Sequence, residues 1–148
     1  MNSAFENLAG QGKPLRAEPP DAKEFAGLQR MGLARLHDAQ QASLALESRF
    51  DLAYNAAHAL CLAALRWHGY RSGNRFIVFQ LLPHTLGLGP EVWRVLSKCH
   101  DARNLGEYEG MLEVDARLVT DLISACGQVA AKVSELKPIP TSQSRYLP

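Results

Sequence analysis

The run RFDLAYNAAHALCLAALRWHG, residues 49–69, constrains the chain more than any other stretch. It is dominated by Ala and Leu, holds no Pro, and ends at Gly69, so it reads as one long helix. Alanines on several of its sides let neighbouring helices approach closely. Ser48 followed by Asp51 is the start signal expected for it. A helix of this kind needs partners around it, and the rest of the chain supplies them. Asp21, with Glu24 three residues on, has the pattern of an N-cap and its reciprocal partner. After it, Phe25, Leu28, Met31, Leu36 and Ala39 recur at roughly helical spacing, which predicts a first helix over 21–42. Pro90, a favoured first-turn residue, opens a third helix carrying Val92, Trp93, Val95 and Leu96. Over 113–136, Leu118, Leu122, Cys126, Val129, Val133 and Leu136 form an amphipathic stripe. Between the second and third helices, Asn74 is a cap for one short helix that stops before Pro83. The alternative there is a strand through Ile77, Val78 and Phe79, but a lone strand has no partner.

Four principal helices and one short one, joined by brief links, predict an all-α, four-to-five-helix up-and-down bundle. Residues 1–20 are rich in Gly, Pro and polar types and end in Pro19-Pro20, so they read as a flexible N-terminal arm. The compact unit spans 21–136, and 137–148 has the character of a flexible C-terminal tail. The 148 residues suffice for a single domain with its own core, and 47% of them are apolar. A formal net charge of +1 gives no long-range field to gather polyanions, so any nucleic-acid contact has to be local. Cys61, Cys99 and Cys126 are odd in number and widely spaced, which indicates neither a disulfide framework nor a zinc site. With no cationic segment followed by an apolar run at the start and no bilayer-length apolar stretch, a cytoplasmic location without membrane contact is expected. No glycine-rich phosphate loop, nucleophile elbow or zinc-binding helix motif is present, and no cofactor or metal is expected.

Two segments hold chemistry. HDARNLGEYEG, residues 100–110, carries His100, Arg103, Asn104 and Tyr108 at the end of the third helix. His100 lies three residues before Arg103, so on a continuous helix the two share a face. Within the segment one arginine faces three acids, Asp101, Glu107 and Glu109, a balance unwelcoming to phosphate unless Arg103 is aimed into a cleft. The bland alternatives are that Arg103 pairs with a neighbouring acid, Asn104 terminates the helix and His100 bonds locally or is solvated. The second segment, RWHGYRSGNR over 66–75, interleaves Arg66, Arg71 and Arg75 with aromatics and holds no acid. Such a mixture can grip single-stranded nucleic acid. It can equally be a loop with a core Trp67 and solvated or acid-paired arginines. His58, within the long helix one turn after Tyr54, and His84 read as satisfied core or interface residues.

Ala53, Tyr54, Ala56, Ala57, Ala63 and Ala64 on a long second helix, followed by His100 to Tyr108 at the end of the third, resemble the HEPN domains (higher eukaryotes and prokaryotes nucleotide-binding). The likeness covers roughly residues 21–136 and rests more on helix order than on one motif. The family's diagnostic element is an Arg, a polar residue, a few variable positions and a His. Arg103 and Asn104 match its first half, whereas Tyr108 stands where the His belongs and Gly110 replaces a tyrosine that often follows. The resemblance implies a homodimer in which two such motifs share one cleft. It implies metal-independent RNA cleavage, with the His moving a proton and the Arg steadying a phosphate. Tyr108 departs from that chemistry, because a phenol with a pKa near 10 is almost wholly protonated at neutral pH and is a poor base. A relocated His100 is the group that could replace it.

Three functions follow as expectations. The first is a homodimeric HEPN-like module with a degenerate or weakened ribonuclease site, associated with RNA or regulatory. The second is an active metal-independent endoribonuclease of toxin type, working beside an antitoxin. The third is a protein-interaction partner of a nucleotidyltransferase.

Overall fold

The structure, a computed structural model, describes residues 3–110 and 113–140, with the backbone alone for Ser3, Tyr108 and Glu109. It is an all-α bundle. Among the described residues there are seven helices: α1 (Ser3–Leu8), α2 (Ala22–Ala39), α3 (Leu46–Trp67), α4 (Arg75–Gln80), α5 (Leu82–Thr85), α6 (Pro90–Glu109) and α7 (Ala116–Ser134). Two short strands, β1 (Arg16–Ala17) and β2 (Tyr70–Arg71), pair antiparallel, Arg16 opposite Arg71 and Ala17 opposite Tyr70.

Helix α3 is the axis of the bundle. Phe50, Ala53, Tyr54, Ala56, Ala57, Leu60, Ala63, Ala64 and Leu65 are all 0% exposed, so the helix is surrounded on most of its sides. That is the outcome of its Ala-rich faces, which let α2 and α7 pack closely on it. It starts at Leu46, earlier than Ser48 indicated, behind an extended Ala45 that gives no side-chain cap. Helix α2 lies on it through Gly32, where an added Cβ would stand 2.5 Å from Leu60 Cγ and 3.3 Å from the Ala56 carbonyl oxygen. Met31, expected on the inner face, is 44% exposed instead, because Gly32 takes the closest approach and turns its neighbour outward. Helix α7 buries Val119, Leu122, Cys126, Val129 and Val133, following the expected stripe, with Leu118 and Leu136 partly buried at its ends.

The punctuation residues behave as their chemistry dictates. Asp21 caps α2, accepting from the backbone N–H of Lys23 at 2.8 Å and of Glu24 at 3.1 Å. Asn74 caps α4 through the Ile77 N–H at 3.1 Å, and Asp115 caps α7 through Leu118 at 2.8 Å. Gly110 closes α6 in the left-handed region at φ 65°, where a side chain would be strained. Ile77, Val78 and Phe79 are helical, so the strand alternative falls. Pro83 does not merely follow the short helix, since it lies in the first turn of α5.

The N-terminal segment differs from the flexible arm read from its composition. Phe5 and Leu15 are 2% and 1% exposed and belong to the core. The Phe5 ring lies 5.0 Å from His68 and 5.1 Å from Tyr70. A clamp fixes the segment further. Arg66, on the last turn of α3, sends its guanidinium to the Glu18 carbonyl (2.8 Å), the Pro19 carbonyl (2.7 Å) and the Glu24 carboxylate (2.6 Å). Arg71 bonds the carboxylates of Glu18 and Glu24. Burial alone would raise the Glu24 pKa, but hydrogen bonds from Arg71 and Arg66 hold it below the ordinary glutamate value. Glu24 is thereby the partner of two arginines rather than the reciprocal half of a capping box. Gly and Pro in 1–20 shape a turn instead of signalling disorder, and two apolar anchors suffice to dock it. Of the C-terminal tail, residues 141–148 lie outside the described residues, and the Lys137 carbonyl accepts from Trp67 Nε1 at 2.8 Å.

Candidate functional site at the corner of three helices

Tyr54 and His58 are one turn apart on α3 and therefore share a face. His100 and Asn104 are likewise one turn apart on α6. The loop after α3 brings α4 against both, adding Arg75, Phe76 and Phe79. Phe79 is the hub: its ring stands nearly perpendicular to those of Tyr54, His58 and His100, with centroids 5.8 Å, 6.2 Å and 6.4 Å away.

The polar groups form a chain. His100 Nε2 is 3.2 Å from the Asn104 amide nitrogen, and His100 Nδ1 is 2.9 Å from the Tyr54 hydroxyl. An amide nitrogen can only donate, so Nε2 accepts, and the neutral ring carries its proton on Nδ1, which donates to the phenol oxygen. Burial lowers the His100 pKa, Asp101 opposes it, and Arg103 and Arg75 push further down. Burial raises the Tyr54 pKa against a hydrogen bond from Arg75. At neutral pH the pair is a neutral phenol beside a neutral imidazole.

Two guanidiniums flank Tyr54, Arg103 at 5.1 Å and Arg75 at 5.5 Å from its ring centroid. Arg103 donates to Glu107 across one helical turn at 3.2 Å. Beside it opens a cleft of about 290 Å³ lined by Asp51, Arg103, Gly106 and Glu107. Arg75 donates to the Asn55 side-chain oxygen at 3.1 Å, and among the described residues no carboxylate lies within ion-pairing distance of it. His58 Nε2 is buried without a hydrogen-bond partner. Burial, with Arg75, Arg103 and His100 nearby, takes the His58 pKa down to about 4.

The residues singled out in the sequence therefore divide. His100, Arg103 and Asn104 come together, and Arg75 joins them from the other segment. Asn104 does not terminate its helix, which runs on to Glu109. Its side chain holds His100 instead. Arg66 and Arg71 belong to the clamp on the N-terminal segment, and Arg66 at 1% exposure has no surface to offer a phosphate. That corrects the grouping of the three arginines as one nucleic-acid strip, since a helix end, a strand and a new helix carry them to different places. The Tyr108 backbone lies in α6, and its side chain is outside the described residues. Tyr54 and His58 were not assigned to this site from sequence. Their signal was there, two polar rings one turn apart on an otherwise Ala- and Leu-rich helix, but nothing in the pattern said which neighbour they faced.

The three cysteines are buried free thiols, and burial pushes Cys99 and Cys126 up to about 12, which makes them packing residues. Among the described residues no group of three His, Cys, Asp or Glu side chains is arranged to hold a metal ion. No helix among them is long and apolar enough to cross a membrane. Larger depressions, about 580 Å³ beside Glu47, Lys98 and Asp121 and about 880 Å³ between the 9–17 loop and Arg71, lie outside this constellation. What the corner can do chemically is receive an oxyanion beside two guanidiniums, next to a His100 imidazole whose two ring nitrogens are engaged by Tyr54 and Asn104. In comparisons with family models, curated proteins and solved structures, no match to the chain is found.

Proposed function

We propose that the chain is a HEPN-like helical module that forms a homodimer, binds RNA at the Tyr54–His100 corner and has weakened ribonuclease chemistry. The observation that carries this reading is the convergence of Arg75, Arg103 and His100 on Tyr54. Two guanidiniums supply phosphate contacts at one spot on a chain of almost no net charge. Weak turnover follows from the state of His100. Its only lone pair on the ring nitrogens accepts from Asn104, so it must break that bond before it takes a proton from a ribose hydroxyl. Arg103 must also leave Glu107 to meet a phosphate.

A second reading, an active metal-independent ribonuclease of toxin type, is favoured by one specific feature. His100 is neutral and oriented by Tyr54 on its other nitrogen, the arrangement a general base needs. Incubating the protein and its Arg103→Ala variant with mixed-sequence RNA and a chelator separates the two. Under the first reading, RNA is retarded on a gel by the wild type, much less by the variant, and stays largely intact. Rapid Arg103-dependent cleavage would replace it with the second. Neither retardation nor cleavage would remove both and leave the nucleotidyltransferase-partner reading, which rests on the family resemblance alone. Light scattering tests the homodimer separately.

A further inference from the structure

The family resemblance points to Arg103 and its neighbours, yet the least satisfied polar groups of the corner lie elsewhere. Arg75 is a partly buried guanidinium whose side-chain partners are neutral, Asn55 and the Tyr54 phenol. Arg103 by contrast already has Glu107. His58 Nε2 is buried with no partner, an unusual condition for a ring nitrogen and one that a bound oxygen relieves. Both residues stand around Phe79 and Tyr54, one from α3 and one from α4. As whole residues they are only partly buried, while the His58 Nε2 atom itself is closed to solvent, so a ligand oxygen reaches it by side-chain movement at the corner.

From this juxtaposition we infer that the corner holds one phosphate group on Arg75 and His58, the guanidinium supplying the charge and the Nε2–H of neutral His58 an inner hydrogen bond. The inference rests on the RNA-binding reading in taking phosphate as the ligand, but it gives the inner contacts to residues outside the 100–108 motif. In it, Arg103 and Glu107 form the outer edge over which the rest of a chain would leave. The His58 ring remains neutral through the neutral range, as its buried position demands. It acts as a donor of fixed direction, and discriminates an acceptor oxygen from a hydrogen-bond donor.

The full chain labelled with ¹⁵N-histidine tests this directly, titrated with inorganic phosphate and, separately, with a short single-stranded RNA. The expected result is a His58 protonated on Nε2, with resonances that shift saturably with phosphate. Arg75→Gln and His58→Phe should each weaken phosphate binding by at least about tenfold, as expected for loss of a charge-assisted contact. A His58 protonated on Nδ1, or one unmoved by phosphate, overturns the inference on the wild-type chain alone, whatever the variants do to folding. RNA bound through Arg103 with His58 unmoved would sink the inference and leave the RNA-binding reading standing. Phosphate that shifts His58 while RNA does not bind would sustain the inference and sink that reading.

Discussion

Tyr54 is fully buried, and its hydroxyl ties α3 to α6 through His100 at 2.9 Å. Tyr54→Phe keeps the ring contacts with Phe50 and Phe79 and leaves His100 Nδ1–H without its acceptor. It should cost about 1–2 kcal/mol in urea unfolding, and an unchanged midpoint would mean that the hydroxyl is not a structural bond. His58 gives the corner a pH signature. Its folded pKa of about 4 lies below the 6.5 of an unperturbed histidine, so the unfolded chain binds the proton first. Its contribution to stability is complete above about pH 6.5 and is lost as pH falls toward about 4, amounting to roughly 3 kcal/mol. His58→Phe should flatten that limb of the stability–pH curve, and an equally steep limb in the variant would contradict the assignment. At this scale the sequence was legible where spacing along one helix decides the contact. His100 and Arg103 share a helix, and their common face followed from their spacing, whereas Asn104 was expected to end that helix and instead holds His100. Arg75 and His58 reach the same corner only through the packing of α4 on α3 and α6, which no local pattern encodes.

At the scale of elements, the clearest departure is the N-terminal segment. Its Gly and Pro content is that of a loose arm, yet Phe5 and Leu15 are buried and β1 pairs with β2. Composition averages over a segment, whereas docking depends on two anchors and on Arg66, whose acceptors at Glu18, Pro19 and Glu24 lie more than forty positions away in sequence. Leu15→Ala should therefore destabilise the whole protein by about 2–4 kcal/mol, measured by thermal or urea unfolding. A loss below about 0.5 kcal/mol, typical of an exposed site, would show the arm to be loose after all. The contact of α2 with α3 offers a second test. Gly32→Ala brings a methyl group to within 2.5 Å of Leu60 Cγ in a seam that also includes the Ala56 backbone. The expected loss is about 1–3 kcal/mol from overpacking, although alanine is the better helix former. A stabilised variant would mean that Leu60 has room to turn away. Three of the helices were legible because their starts carry chemistry: Asp21, Asn74 and Pro90 sit where their side chains or ring are needed, whereas the last was read from its apolar stripe alone and its cap, Asp115, is a finding of the structure.

For the molecule as a whole, the bundle explains how a chain with almost no net charge can still offer a charged site. Three helices bring two guanidiniums to one phenol; Arg103 pairs with Glu107, which is exposed on α6, and Asp101, also exposed there, acts on His100. A fluorescent single-stranded RNA titrated in chelator, with wild type and with the Arg75→Gln, Arg103→Ala double variant, tests RNA binding at this corner most directly. Anisotropy and the integrity of the RNA are read from the same samples. The expected result is saturable binding of intact RNA by the wild type, weakened by at least about tenfold in the double variant. Equal binding by both proteins, or none by the wild type, would contradict it.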